Sequence, residues 1–446
     1  MQRPQLYILI MDVTYCLYWI IAICAIYLLF LLRFRRYRLV LTSTAHTLTW
    51  LVCSLLMLAE IKGLILPEPL PENRYSLSVP YILGMVVSSV IGFAFAHQIS
   101  IPRERYMTGR ESTVLTNAQL EAFLKKFQFI PILCVIAGVL MVSFLVSLGG
   151  FETFGDYRLM AVTVEKVGYA AVAKRCFGHL SILGGFYLVI LGYQQAISGV
   201  SVKKTLINLI MVSTINLSIG GRLWVITSLL PYVTGFLLAL NMRNDCEALR
   251  KSFSRLALIA VAFVAMFSIM GMIRNTSETT GSINDSSFAR KFLYYTDGPK
   301  MANLALERYR PGTFDIEYGG ATFLQKWVSS PMAERYKQSM ADNIGLSVTV
   351  KSMIPNWYFD FGYWGGIVMW GVLCFLLESL CLEMRHKNTF LGILIFAMSA
   401  IILFQAPIGN IIFALMPVIE WLVVIAILNR WLFGSVYRAQ PAECRR

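Results

Sequence analysis

The chain has 446 residues, of which 57% are hydrophobic and only 14% are charged, and its formal net charge is +14. Together with a mean hydropathy of +0.63, this composition excludes an average soluble domain and is typical of a multi-spanning membrane protein. The basic residues fall mainly in short segments beside apolar runs of about 20 residues. The positive charge therefore indicates membrane topology rather than nucleic-acid binding.

The apolar runs predict an all-α polytopic membrane protein with about eleven transmembrane helices, within a range of roughly ten to twelve. The predicted spans are residues 10–32, 40–59, 77–97, 128–148, 178–198, 205–221, 223–241, 256–273, 358–382, 390–408 and 411–433. The first apolar stretch is too long for a cleavable signal peptide and lacks a small-residue cleavage site. The nine cysteines form no Cys-x-x-Cys pair, so we expect neither a structural metal nor a disulfide framework.

Charge in the connecting segments sets the predicted orientation. With an external N-terminus, alternation of the spans places every strongly basic short segment in the cytoplasm. These segments are residues 33–38, 103–126, 203–204, 243–255, 385–387 and the C-terminal 445–446. We therefore expect three regions: helices one to eight with short outer loops over residues 1–273, a large outer loop over residues 274–357, and helices nine to eleven with a cytoplasmic tail over residues 358–446.

The large outer loop is polar and cationic, and aromatic residues are interleaved with its charges. Its cations are Arg290, Lys291, Lys300, Arg308, Arg310, Lys326, Arg335, Lys337 and Lys351. A short helix is predicted over residues 299–309, because proline suits a first turn and Pro311-Gly312 stops a helix. The loop is thus expected to be a partly helical cap with a surface suited to an anionic, ring-bearing substrate.

Five arginines outside the membrane are candidate ligands for a diphosphate, because a guanidinium is permanently charged and makes two parallel hydrogen bonds to phosphate oxygens. They are Arg158, Arg222, Arg290, Arg308 and Arg310. Arg222 follows Gly220 and Gly221, which let backbone amides approach a ligand, at a turn between two spans. The alternative is that these arginines reach lipid phosphates at the membrane surface.

A glycosyl transfer also needs a base for the attacking hydroxyl. The carboxylate candidates are Glu152, Asp156, Asp315, Glu317 and Asp360, and His179 is the histidine expected nearest the outer face. Asp360 can instead cap a helix, and His179 can be a boundary histidine. Gly362 and Gly366 are spaced for close helix packing. The outer segments show no cluster at metal-ligand spacing, which favours metal-independent chemistry.

The arrangement resembles the Wzy-type O-antigen and oligosaccharide repeat-unit polymerases, inner-membrane glycosyltransferases of Gram-negative bacteria. The resemblance is carried by Gly155-Asp156-Tyr157-Arg158, by Ser218-Ile219-Gly220-Gly221-Arg222, by the large late loop, and by the segment from Trp357 to Gly365. Outer loops of some members pair an arginine with a glycine at a fixed spacing. Arg308 and Gly319 match this spacing, whereas Arg158 and Gly168 miss it by one residue.

The resemblance implies a GT-C-like polymerase whose active site faces the periplasm. The donor and the acceptor would both be undecaprenyl-diphosphate-linked oligosaccharides, and no cofactor would be needed. Arg222, Arg308 and Arg310 would bind the diphosphates and Arg158 either substrate, with Asp156, Asp360 and His179 as candidate bases and Arg290, Glu317 and Gly319 as further candidates. A Wzz-type chain-length regulator and a Wzx-type flippase would be partners.

Two alternatives remain open at the level of sequence. An O-antigen ligase, which passes the glycan to lipid A core, resembles this architecture but carries a functional histidine in its large outer loop, and residues 274–357 contain none. A transporter or flippase of a lipid-linked sugar should place charges at mid-membrane positions. Here Glu378, Glu420 and Asp12 lie near predicted span ends.

Overall fold

The computed structural model describes residues 12–33, 41–65, 69–107, 117–148, 168–198, 201–218, 222–243, 294–308, 354–387, 390–404 and 423, and every regular element within them is helical. In chain order the α-helices are α1 (Val13–Arg33), α2 (Leu41–Ile61), α3 (Ser78–Met107), α4 (Asn117–Lys126), α5 (Phe129–Leu148), α6 (Gly168–Ser198), α7 (Val202–Leu217), α8 (Arg222–Arg243), α9 (Tyr294–Arg308), α10 (Ile354–Lys387) and α11 (Phe390–Phe404). A short 3₁₀ turn, Glu72–Tyr75, precedes α3.

Six stretches of these helices are long and apolar enough to cross a membrane. They are Val13–Leu31, Thr42–Ile61, Glu72–Ile99, Ala118–Ser147, His179–Ile197 and Phe361–Glu383, and two shorter apolar stretches are Leu229–Leu240 and Gly392–Ile401. In the part of the chain that the structure describes, the protein is thus all-α and multi-pass, as the composition predicts. The predicted spans 256–273 and 411–433 lie outside the described residues, apart from residue 423.

The chain forms two compact units. The first contains residues 1–111, 284–386 and 399–416, and the second contains residues 112–283, 387–398 and 417–446. Helices α1, α2, α3, α9 and α10 therefore belong to the first unit and α4 to α8 to the second.

In the first unit, α3 and α10 cross at small residues. A Cβ added at Gly92 would collide with the carbonyl oxygen of Gly371, and one added at Gly371 would collide with the Ser88 side chain. Small side chains at such a crossing let two backbones approach closely, which is how membrane helices gain packing energy without a hydrophobic driving force. Helices α1, α2 and α3 also pack against one another.

The second unit is held together by a similar close approach of α6 and α8. A Cβ at Gly192 would collide with the Tyr232 carbonyl oxygen, and a Cβ at Gly235 would collide with the Val189 carbonyl oxygen. Helix α4 is amphipathic, because it buries Leu120, Phe123 and Leu124 while the lysines of its last turn are exposed.

Several helix boundaries differ from the prediction. Helix α6 begins at Gly168, ten residues before the predicted span, and α3 continues to Met107. Bilayer thickness limits the membrane-crossing part of a helix but not its extension into water. The helix predicted over residues 299–309 begins instead at Tyr294, so Pro299 lies inside α9 and not in its first turn. The two predicted spans within 205–241 are separate helices, α7 and α8.

Helix α10 is broken at Gly362, whose φ of 71° and ψ of −174° are not helical. Glycine suits this break, because the conformation is one that L side chains rarely adopt, and the expected role of Gly362 in helix packing stays a prediction. Gly366, by contrast, does make a close approach: a Cβ there would collide with the Tyr81 hydroxyl and the Trp357 carbonyl oxygen.

Candidate functional site

Most of the predicted site residues lie outside the described residues. These are Asp156, Arg158, Arg290, Arg310, Glu317 and Gly319, together with the further carboxylates Glu152 and Asp315. Their assignments stay predictions.

Four predicted residues lie on described helices. In the first unit, Arg308 is the last residue of α9, and Asp360 lies two residues before the break in α10. In the second unit, Arg222 is the first residue of α8, and His179 is partly buried in α6. The structure therefore fixes the backbone positions of these residues within their own units, and their predicted roles stay predictions.

Helix α9 is the described part of the large polar segment, and it docks onto the first unit through a buried ion pair. Lys300 Nζ lies 2.8 Å from Glu60 Oε1, at the end of α2, and the Glu60 side chain is fully buried. The Tyr75 hydroxyl donates a hydrogen bond to the other carboxylate oxygen of Glu60. Because both oxygens of this buried carboxylate are occupied, its desolvation is offset and α9 is tied to α2 and the 3₁₀ turn.

A second set of bonds joins α9 to the beginning of α3. Asn303 Oδ1 accepts hydrogen bonds from the backbone N–H groups of Leu77, at 2.7 Å, and of Ser78, at 3.1 Å. Its Nδ2 donates to the Asn73 carbonyl oxygen at 3.2 Å. The first backbone N–H groups of a helix have no partner within the helix, and asparagine is a favoured residue for accepting hydrogen bonds from them. Here the asparagine comes from a distant part of the chain.

Asp297 adds a titratable group to the docked helix. Its Oδ1 lies 3.4 Å from Lys300 Nζ, and its side chain is 43% exposed. Burial raises the pKa of the Asp297 carboxyl above its ordinary value, although the Lys300 ammonium acts in the opposite direction. Lys300 Nζ also donates to Thr296 Oγ1 at 3.3 Å, so its three donors reach Glu60, Asp297 and Thr296.

We call this end of the first unit the docking end. It also carries the beginning of α1, where Asp12 Oδ1 accepts a bond from the Thr14 N–H and the Thr14 hydroxyl donates to Glu72. Exposed aromatic side chains surround it: Tyr15, Tyr18 and Trp19 on α1, and Trp364 on α10. Such aromatic residues are enriched at the membrane–water boundary. The docking end therefore has the aromatic composition typical of such a boundary, and α9 packs on it.

The far end of the first unit holds a different buried polar cluster. His97 Nε2 lies 2.9 Å from Glu378 Oε1, and the Thr42 hydroxyl donates to the other oxygen of Glu378. The Glu378 side chain is fully buried. Since α2, α3 and α10 each contribute one of these residues, the cluster joins three helices at the end opposite α9.

A buried histidine lies between the two ends. His46 Nε2 accepts hydrogen bonds from the indole N–H groups of Trp50, at 3.1 Å, and Trp370, at 3.2 Å. A ring nitrogen that accepts carries no proton, so the proton of the neutral imidazole is on Nδ1. Within the described residues Nδ1 has no hydrogen-bond partner. This arrangement packs α2 against α10 and offers no ionised group.

Sequence reasoning missed these pairings. In the sequence, Lys300 is one of many cations in the polar segment, Glu60 follows the predicted span 40–59, and His97 is the last residue of the predicted span 77–97. Each pair joins residues that are far apart in the chain, 240 residues in the case of Glu60 and Lys300. The sequence does offer one chemical signal for such pairs, because a carboxylate at the end of an apolar run needs a cation or hydrogen-bond donors nearby.

No protein-family model matches this chain, and neither does a curated protein or a solved structure. The class that fold and composition define is a multi-pass, all-α membrane protein.

Proposed function

We propose that the chain is an O-antigen polymerase of the inner membrane, a metal-independent glycosyltransferase that acts on polyprenyl-diphosphate-linked oligosaccharides at the periplasmic face. The observation that carries the proposal furthest is the docking of α9. Lys300 and Asn303 fix this helix to the docking end, so the cationic segment that contains it is anchored to the helices of the first unit. A cap anchored in this way can hold cations in constant positions above a lipid substrate.

The proposal includes the finer architecture. About eleven helices cross the membrane, in a GT-C-like arrangement, and the docking end faces the periplasm together with the N-terminus. The C-terminus is then cytoplasmic. In this orientation the basic segments 33–38 and 385–387 lie in the cytoplasm.

The proposed reaction transfers the growing glycan from its lipid carrier to the next repeat unit. A hydroxyl oxygen of the incoming lipid-linked repeat forms a bond to the anomeric carbon of the donor glycan. The bond from this carbon to the diphosphate oxygen breaks, its electron pair stays on undecaprenyl diphosphate, and the hydroxyl proton passes to a base. Asp156, Asp360 and His179 are the candidates for this base.

Arginines supply the electrostatic part of the mechanism. Negative charge grows on the diphosphate as the glycosidic bond breaks, and guanidinium groups held in place stabilise it without having to reorganise. We assign Arg222, Arg308 and Arg310 to the diphosphates and Arg158 to either substrate. Arg308 ends α9, so the contacts that dock this helix also determine the position of its backbone.

The deciding experiment supplies purified protein with a lipid-linked repeat unit and identifies the product. A polymer on the lipid carrier supports the proposal. A single transfer to lipid A core would identify a ligase, and movement of the substrate across a vesicle membrane without a new glycosidic bond would identify a flippase. Either result would overturn the proposal.

Arginine variants test the assigned roles. Arg222→Ala and Arg308→Ala should each abolish polymer while the protein stays in the membrane. Lysine at either position restores the charge but not the two-pronged geometry, so we expect partial activity. Lys62→Ala removes an exposed cation beside the end of α2 and is the matched control. Normal lipopolysaccharide ladders in both alanine variants would refute the assignment, and tags that place residues 274–357 in the cytosol would refute the proposed orientation.

A further inference from the structure

A cavity of about 350 Å³ lies in the second unit between the beginning of α5 and the beginning of α7. Neither the predicted site nor the docking of α9 involves it. Its polar lining includes Lys203, Lys204 and Asn208, and its apolar lining includes Ile132, Ile207 and Met211. The lining of the cavity therefore combines two cations with an aliphatic wall.

The two lysines supply the charge of this cavity. Both side chains are exposed, and within the described residues neither lies within ion-pair distance of a carboxylate. Both polar atoms of the Asn208 side chain already have hydrogen-bond partners, because Nδ2 donates to the Lys204 carbonyl oxygen at 2.8 Å and Oδ1 accepts from the Tyr187 hydroxyl. Among the described residues the positive charge is thus left uncompensated, and an anion is the complementary ligand.

The aliphatic wall distinguishes a lipid from a free anion. Ile132 is 48% exposed and Ile207 is 47% exposed, on helices whose apolar residues cross the membrane or lie beside those that do. The lining residues of α5 lie in the first turn of its apolar run, so the aliphatic wall of the cavity continues into a run long enough to cross a bilayer. An acyl chain would cover these isoleucines, whereas inorganic phosphate would leave them bare.

We propose that this cavity binds an anionic phospholipid, with the phosphate between Lys203 and Lys204 and an acyl chain along Ile132 and Ile207. Basic pockets between membrane helices are suited to anionic head groups, and each lysine near an anionic surface contributes to the attraction. The site is independent of the proposed polymerase activity. In the topology proposed above, it faces the cytoplasmic leaflet.

Lipid titration of the purified full-length protein, followed by native mass spectrometry, tests the site. Phosphatidylglycerol should bind more tightly than phosphatidylcholine with the same acyl chains. Replacing both lysines in Lys203→Ala/Lys204→Ala should weaken the phosphatidylglycerol adduct by about thirty-fold, from the attraction expected of two lysines at an anionic surface. Ile207→Trp fills the aliphatic side without changing charge, and it should also weaken the adduct.

Lys125→Ala/Lys126→Ala is the matched control, because it removes the same charge from α4 without touching the lining of the cavity. It should leave the adduct within about two-fold of wild type on the same reasoning. Equal binding of the two lipids, or equal losses in the two double variants, would overturn the proposal. Displacement of the lipid by inorganic phosphate with no effect of Ile207→Trp would identify a free-anion site and would likewise overturn it.

Discussion

His97 Nε2 and Glu378 Oε1 are 2.9 Å apart inside the first unit, at the end opposite the docked helix α9. One residue comes from α3 and the other from α10, and Thr42 of α2 bonds to the same carboxylate. A buried carboxylate is costly unless cations or donors surround it, so this contact makes the positions of three helices depend on one another.

His97→Leu should therefore lower the melting temperature of the detergent-solubilised protein more than Glu378→Gln does. The first change leaves the Glu378 charge buried with Thr42 as its remaining described donor, whereas the second removes the charge itself. The double variant should be more stable than His97→Leu alone, a non-additivity of about 1–3 kcal/mol between residues in contact. Glu121→Gln, an exposed residue of α4, is the control for loss of a carboxylate. Strictly additive effects would show that the pair is not coupled.

Loss of the Lys300–Glu60 pair should release α9. In Glu60→Gln the Lys300 ammonium loses its buried counter-charge, and in Lys300→Met the Glu60 carboxylate keeps Tyr75 but loses its cation. We expect amide hydrogens of residues 294–308 to exchange at least about ten-fold faster in both variants, because removing one member of a buried pair costs well over 1.4 kcal/mol. Lys62→Met is the matched control, since Lys62 is an exposed cation at the same helix end. Unchanged exchange in Lys300→Met would contradict this account of docking.

Asp297→Asn should flatten the pH dependence of docking. Burial raises the pKa of the Asp297 carboxyl, so this group binds a proton more readily when α9 is docked than when it is free. Its favourable contribution is complete below the ordinary pKa of about 3.9 and is lost as the pH rises through the higher docked value. The effect is small because the side chain is 43% exposed.

The measurement for Asp297 is hydrogen exchange of residues 294–308 over a pH series, corrected for the intrinsic rate of exchange. The difference between wild type and the asparagine variant isolates this carboxyl from other titrating groups. Wild type should lose protection relative to the variant as the pH rises, and parallel curves would contradict the prediction.

Glycines on α6 should differ sharply in their tolerance of alanine. Gly192→Ala would place a Cβ against the Tyr232 carbonyl oxygen, which is backbone and cannot move without separating α6 from α8. We expect it to destabilise the second unit by about 1–3 kcal/mol, as overpacking does. Gly185→Ala is the matched control, because its Cβ would lie 3.6 Å from Pro231 Cγ, an ordinary contact. The check is the melting temperature of the two variants; equal values would show that the helix crossing is loose.

Hydropathy is sufficient to locate the membrane-length helices of the first unit, because residues 10–32, 40–59, 77–97 and 358–382 are apolar over a bilayer's width and flanked by polar segments. Hydropathy could not predict which side chains of these helices contact one another. The sequence places Glu378 near a span end, and the structure adds that it is fully buried beside His97. Likewise Trp370 bonds to His46 across 324 residues of chain. Such contacts depend on which faces of the helices pack together, and these faces cannot be predicted from a single sequence.

The candidate site was predictable in chemistry more than in geometry. A permanent charge at Arg222 or Arg308 can be read from residue type alone, and both residues do lie at helix ends. The contacts that dock the polar segment could not be predicted from residue type. Lys300 and Asn303 acquire this role only through their contacts with Glu60 and with the first turn of α3. Gly362 is also ambiguous in the sequence alone, because a glycine at this position fits both a helix crossing and a helix break.

The cap that Asn303 places on the beginning of α3 has a consequence for biosynthesis. The ribosome synthesises α3 long before α9, so the N–H groups of Leu77 and Ser78 first donate to water or to other acceptors. Their final bonds form only after more than half of the protein has been translated and inserted. A nascent chain that stops before residue 294 therefore lacks this cap, and the first turn of its third helix is less stable than in the full chain.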